Sequence, residues 1–169
     1  MKRKGKGKVC ISLCLFLLIA LSVTGCTQSS GSGFLRKEFL KYENIAVLPF
    51  EGDNTGEVAK AFFRNFHQRF PQILILGGRQ FSDNPREEKF NLNQLDDATR
   101  LKIGRRVGAQ ALITGIVHSP SLLSWYLQVK IIDVETGRVL GRSMVEMDSL
   151  FSTDIEKAAR LAVEKLSVW

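Results

Sequence analysis

Three short, mainly apolar runs dominate the chain: residues 45–48 (Ile45, Ala46, Val47, Leu48), 73–76 and 111–117. Runs of this length without polar alternation read as strands buried on both faces. Pro49, lacking an N–H, suits the end of the first, and Gly77-Gly78 stops the second. Between the first two runs, Val58, Phe62, Phe66 and Phe70 recur every four residues, with Ala59 and Phe63 widening the stripe. That spacing predicts a helix, which Pro71 ends. A second helix is expected over 93–107, with Leu95, Thr99, Ile103 and Val107 on one stripe. Asp96 and Asp97 at its start and Arg105 and Arg106 at its end complement the helix dipole, and Gly108 supplies the stop. Strand, helix, strand, helix, strand implies βαβ units with right-handed crossovers and parallel pairing.

Beyond residue 117 the period changes to two. Leu123, Trp125, Leu127, Val129 and Ile131 alternate with Ser124, Gln128 and Lys130, the pattern of a strand with one better-covered face, which assigns Trp125 to the core. Glu135-Thr136-Gly137 supplies a turn and 139–147 the antiparallel return. Thr153 with Glu156 three residues on reads as a capping box, opening a last helix that presents Ile155, Ala159, Ala162 and Leu166. The expected fold is α/β: a three-layer αβα sandwich with a mixed sheet of about five strands.

The amino terminus carries different information. Lys2, Arg3, Lys4, Lys6 and Lys8 precede an apolar stretch, 9–23, too short for the ~20 residues of a membrane span, and Val23-Thr24-Gly25-Cys26 closes it. These are the parts of an export signal. The cysteine at its end resembles the lipobox of bacterial lipoproteins, which implies cleavage before Cys26 and acylation of its sulfur. Residues 1–25 are then the signal peptide, 26–42 the lipidated cysteine, a Gly/Ser tether (27–33) and a lead-in segment (34–42) of one or two helical turns, and 43–169 the domain. The seven tether residues reach roughly 25 Å at most.

Without its signal the chain has 144 residues, enough for one domain core. Five of the 24 Lys and Arg belong to the signal, leaving 19 against 17 acidic residues, so no charge argument for nucleic acid remains. Cys10 and Cys14 lie in the signal, so with Cys26 acylated the domain has no thiol and no disulfide.

Catalytic groups are sparse. His67 and His118 are the two imidazoles, and no HExxH, CxxC or GxSxG pattern occurs. Gly77-Gly78 lacks the rest of a phosphate loop, and Asp96-Asp97 is explained by its helix start. The chain is expected to be no enzyme and to use no cofactor or metal.

Three segments go beyond a generic α/β domain: Asn44-Ile45-Ala46-Val47-Leu48-Pro49-Phe50, Gly108-Ala109-Gln110-Ala111-Leu112-Ile113-Thr114-Gly115, and Ile131-Ile132-Asp133-Val134-Glu135-Thr136-Gly137-Arg138-Val139-Leu140. In this order, after a lipobox, they resemble the periplasmic domain shared by the curli secretion lipoprotein CsgG, the penicillin-binding-protein activator LpoB and the TolB amino-terminal domain. The resemblance implies an αβα sandwich, a noncatalytic role in the cell envelope and lipidation at Cys26. Two departures narrow it. A CsgG-type channel needs inserted membrane-spanning hairpins, and none is written into 51–55, 77–91 or 118–122. An LpoB-type activator needs a long tether, and here it is seven residues.

The expectation is a lipid-anchored, periplasm-facing adaptor or assembly factor that binds another envelope protein. Thr27, rather than Asp, after the cysteine points to the outer membrane. The partner surface is expected at a sheet edge or at the loop beside Tyr126, with His118, Leu122, Leu123 and Tyr126 as candidates. The alternatives are a subunit of a curli-type secretion assembly and a regulator of a peptidoglycan synthase; partner and oligomeric state stay open.

Overall fold

The computed structural model describes residues 30–76, 96–122, 124–148 and 154–169, and one mixed sheet carries the other elements. In chain order these are β1 (Ser30–Leu35), a 3-10 turn (Lys37–Lys41), β2 (Asn44–Val47), α1 (Glu57–Arg69), β3 (Leu74–Leu76), α2 (Asp97–Arg106), β4 (Ala111–His118), β5 (Ser124–Asp133), β6 (Val139–Asp148) and α3 (Ile155–Glu164). The sheet order is β1-β6-β5-β4-β2-β3. As expected, the three apolar runs pair in parallel, β2 lying between β3 and β4, and β5 and β6 form the antiparallel hairpin. No helix among the described residues is long and apolar enough to cross a membrane.

The sixth strand is the main departure. Ser30–Gly33, expected in the flexible tether, and Phe34-Leu35, expected in a helical lead-in, together pair antiparallel with β6 from Ser30↔Glu146 to Leu35↔Gly141. Only Lys37–Lys41 is helical there. The glycines serve closeness rather than looseness: a Cβ on Gly33 would lie 2.6 Å from the Lys165 carbonyl oxygen at the end of α3 and 2.7 Å from that of Arg142. The carboxyl terminus completes the edge, with Leu35 N–H donating to Ser167 O (2.7 Å) and Trp169 N–H to Leu35 O (3.0 Å).

Helices α1 and α3 cover one side of the sheet. Phe39, Phe50, Phe62, Phe66 and Phe70 pack there with Leu127, Val129, Ile131, Val145 and the small face of α3, Ala158, Ala159 and Ala162. Ring centroids of successive phenylalanines stand 4.8–6.1 Å apart, the range of favourable aromatic pairs. Trp125 is buried on this side, as its period predicts. Glu156 ties the two helices, accepting from Arg64 (2.6 Å) and Asn65 (2.7 Å). It is therefore not folded back in a capping box. Asp154, rather than Thr153, caps α3, accepting from Lys157 N–H at 2.9 Å; Thr153 itself lies outside the described residues.

Among the described residues, α2 is the cover of the other side. α2 packs through Ile103 and Val107 on Ala46, Leu48, Leu112 and Val134. Its start is capped by Asp96, which accepts from Thr99 N–H at 2.7 Å, and it ends where Gly108 takes a φ of 73°. Leu95 lies outside the described residues.

Candidate functional site

Among the described residues α2 is the one helix on this side of the sheet, and beside it lies a face built from β4, β5, β6 and β1. The pairing register aligns its side chains in rows. At one end His118, Tyr126, Glu146 and Ser30 stand side by side. Ile116, Gln128, Met144 and Ser32 form the next row, then Lys130, Arg142 and Phe34 beside Thr114, which is buried.

The first row is a hydrogen-bonded chain. Tyr126 Oη donates to Glu146 Oε1 at 2.9 Å and Ser30 Oγ to Glu146 Oε2 at 3.4 Å. The hydrogen bond to Glu146, and then burial, hold the Tyr126 phenol above its ordinary value. In the second row the Gln128 side-chain amide lies against the Arg142 guanidinium, and its oxygen is assigned as the acceptor because the opposite orientation would set donor against donor. The third row sets Lys130 directly across from Arg142. Met144 is 39% exposed although it lies mid-strand.

Of the residues expected to bind a partner, the structure brings together two. His118 and Tyr126 are direct cross-strand partners on the open face. Leu122, in the β4–β5 loop at the same end, is 93% exposed. Leu123 and Cys26 lie outside the described residues. Lys130, Arg142, Met144, Glu146 and Phe34 escaped the sequence reading. Their signal was the polar half of the β5 alternation.

A groove of about 690 Å³ beside Lys41, Tyr42, Arg105, Gln110, Asp133 and Glu135 is the other concavity of note. Tyr42, Arg105, Gln110 and Asp133 in it are engaged in holding the fold. Asp133 accepts from Tyr42 Oη and from the N–H (2.6 Å) and Oγ1 (2.8 Å) of Thr136. Gln110 Oε1 accepts from the N–H groups of Glu43 and Asn44, and Arg105 donates to the carbonyls of Val134 and Glu135. Burial and the Asp133 contact push the Tyr42 phenol up to about 12. For Asp133, burial acts upward, but the Tyr42 and Thr136 hydrogen bonds outweigh it and the carboxyl lies below its ordinary value.

The two histidines do not meet in a common site. His67 stacks on Phe63 on α1, whereas His118 stands on the opposite side of the sheet. No group of three or more potential metal ligands occurs among the described residues.

With this architecture in view, the similar solved structures are informative about the fold. The chain shares its fold with PelC. The PelC dodecamer from Paraburkholderia phytofirmans superposes with a TM-score of 0.55 at 11% identity, covering 82% of this chain and 94% of that one. The LpoB C-terminal domain from Salmonella enterica gives a TM-score of 0.48 at 16% identity over 78% of this chain and 91% of that one. Lipoprotein GNA1162 from Neisseria meningitidis gives 0.44 at 13% identity over 62% and 79%. No family profile matches the chain, and no curated protein matches it in sequence.

Proposed function

We propose that this chain is a non-catalytic lipoprotein of the bacterial envelope, acylated at Cys26, anchored in the outer membrane and facing the periplasm, whose open sheet face binds another envelope protein. The observation that carries the reading is that face: four strands wide, with Met144 exposed at mid-strand and a Tyr126-Glu146 pair at one end. Ile116, Met144 and Phe34 give this otherwise polar face apolar surface that another molecule would cover.

A second reading has its own support. PelC, which shares the fold, is described as a dodecamer, so the covering molecule in this reading is a further copy of the same chain in a closed homo-oligomer.

Site-specific photocrosslinking in intact cells tests both. A benzophenone side chain replacing Met144 is expected to give a discrete adduct, while the same group replacing Arg160 on α3 gives none. An adduct of twice the chain's mass selects self-assembly, and a different mass selects a separate partner. Absence of an adduct at position 144, or identical adducts at both positions, refutes the docking face.

A further inference from the structure

The open face is electrically divided. Its Tyr126 end holds the carboxylate of Glu146, already engaged by Tyr126 and Ser30. The other end holds cations. Lys130 and Arg142 stand directly opposite each other on β5 and β6, flanked by Thr114 on β4 and Phe34 on β1. Arg36, just past β1, donates Nε to the Val139 carbonyl at 3.1 Å. None of these three cations forms a salt bridge with a carboxylate among the described residues.

Like charges directly opposite in a sheet destabilise it, so this pair works against the fold that carries it. Glu146, four residues along β6 from Arg142, is about 13 Å away at the rise of a strand, too far to neutralise it. The neutral oxygen of Gln128, so assigned, accepts from the Arg142 guanidinium. That contact orients the guanidinium without cancelling its charge. A guanidinium and an ammonium group carried on directly paired strand positions suit a carboxylate, which takes paired N–H bonds from the first and a point charge from the second. Phe34 and Met144 supply apolar surface on either side for the partner's stems.

We infer that the Lys130–Arg142 end of the face receives carboxylates from an acidic segment of the protein partner. The inference rests on the proposed docking role of this face and adds the partner's chemistry and orientation. The acidic segment lies across the Phe34 end, because Glu146 repels it from the Tyr126 end.

Carbodiimide treatment of envelopes containing the full acylated protein tests it, since this reagent joins an amine to a carboxylate only at ion-pair distance. The Lys130 peptide is expected joined to an Asp or Glu of a second polypeptide. The junction disappears in Lys130→Arg, which keeps the charge but not the amine, while the photoadduct at position 144 persists. Lys130→Glu with Arg142→Glu is expected to lower that photoadduct at least tenfold. Lys130→Gln with Arg142→Gln, which relieves the like-charge repulsion, is expected to lower it too, so a misfolded reversal variant leaves the test intact. A photoadduct that survives both pairs of substitutions, or a Lys130 that joins no second chain, overturns the inference while leaving the docking face standing. Lys130 modified only by anionic vesicle lipids, never by protein carboxylates, also overturns it. If position 144 gives no photoadduct at all, the docking face fails and this inference falls with it.

Discussion

Replacing Gly33 with alanine separates a strand from a tether by the sign of the result. Were Ser30–Gly33 a free linker, the substitution would leave stability unchanged or raise it by about 0.4–1 kcal/mol by restricting the unfolded chain. In the structure the new methyl group meets two backbone carbonyls, at 2.6 Å (Lys165) and 2.7 Å (Arg142), neither of which can swing away as a side chain does. Relief requires β1 and α3 to part, an overpacking cost of about 1–3 kcal/mol. For a domain of this size that lowers the melting temperature by roughly 3–10 °C. Gly31→Ala is the internal control. Its methyl would meet the Met144 carbonyl at 3.0 Å and the flexible Lys165 side chain at 3.2 Å, so a smaller loss is expected. Urea and thermal unfolding followed by circular dichroism measure both. A Gly33→Ala protein as stable as the parent, or more so, would show that β1 does not lie where the argument needs it.

Three further outcomes are expected. Asp154→Ala removes the cap of α3 and costs about 1 kcal/mol in urea unfolding, with Thr153→Ala costing less; the reverse order refutes the cap assignment. Tyr42 ionises near pH 12 in the folded state against 10.0 unfolded, so its contribution is complete below pH 10 and is lost as pH rises from 10 through 12. Tyr42→Phe should remove that alkaline loss and raise the Asp133 pKa, readable by NMR titration, whereas an unchanged Asp133 titration contradicts the contact. Radiolabelled palmitate is expected to enter the protein and to be absent from Cys26→Ala; equal labelling of the two would exclude acylation at that cysteine.

Much of the architecture was legible because burial leaves marks on composition. β2 and the first half of β4 lie inside the sheet between α1 and α2, so Ile45, Ala46, Leu112 and Ile113 are all apolar and the runs stand out. The phenylalanine stripe of α1 could fit only one partner, a large apolar layer. β1 was illegible for the opposite reason. Its glycines have no side chain to declare a face, and Ser-Gly-Ser-Gly has the composition of a linker whether or not α3 presses on it. At α3, Thr153 and Asp154 are both competent caps, and spacing to Glu156 favoured the wrong one because Glu156 is taken by Arg64 and Asn65. The open face hides for a tertiary reason. Gln128, Lys130 and Arg142 read as ordinary solvent-facing polar residues, and only the placement of α2 over Leu112 and Ala46 reveals that they form one continuous surface.

The early start of β1 has a mechanical consequence. Ser30 follows Cys26 by four residues, which even fully stretched span about 14 Å. An acylated Cys26 would therefore keep the Ser30 end of the sheet, which carries the β4–β5 loop, nearest the headgroups, with Trp169 at the other end of β1. The open face then looks sideways, parallel to the membrane plane. Molecules confined to the same leaflet would meet it by lateral diffusion in two dimensions, already oriented for contact.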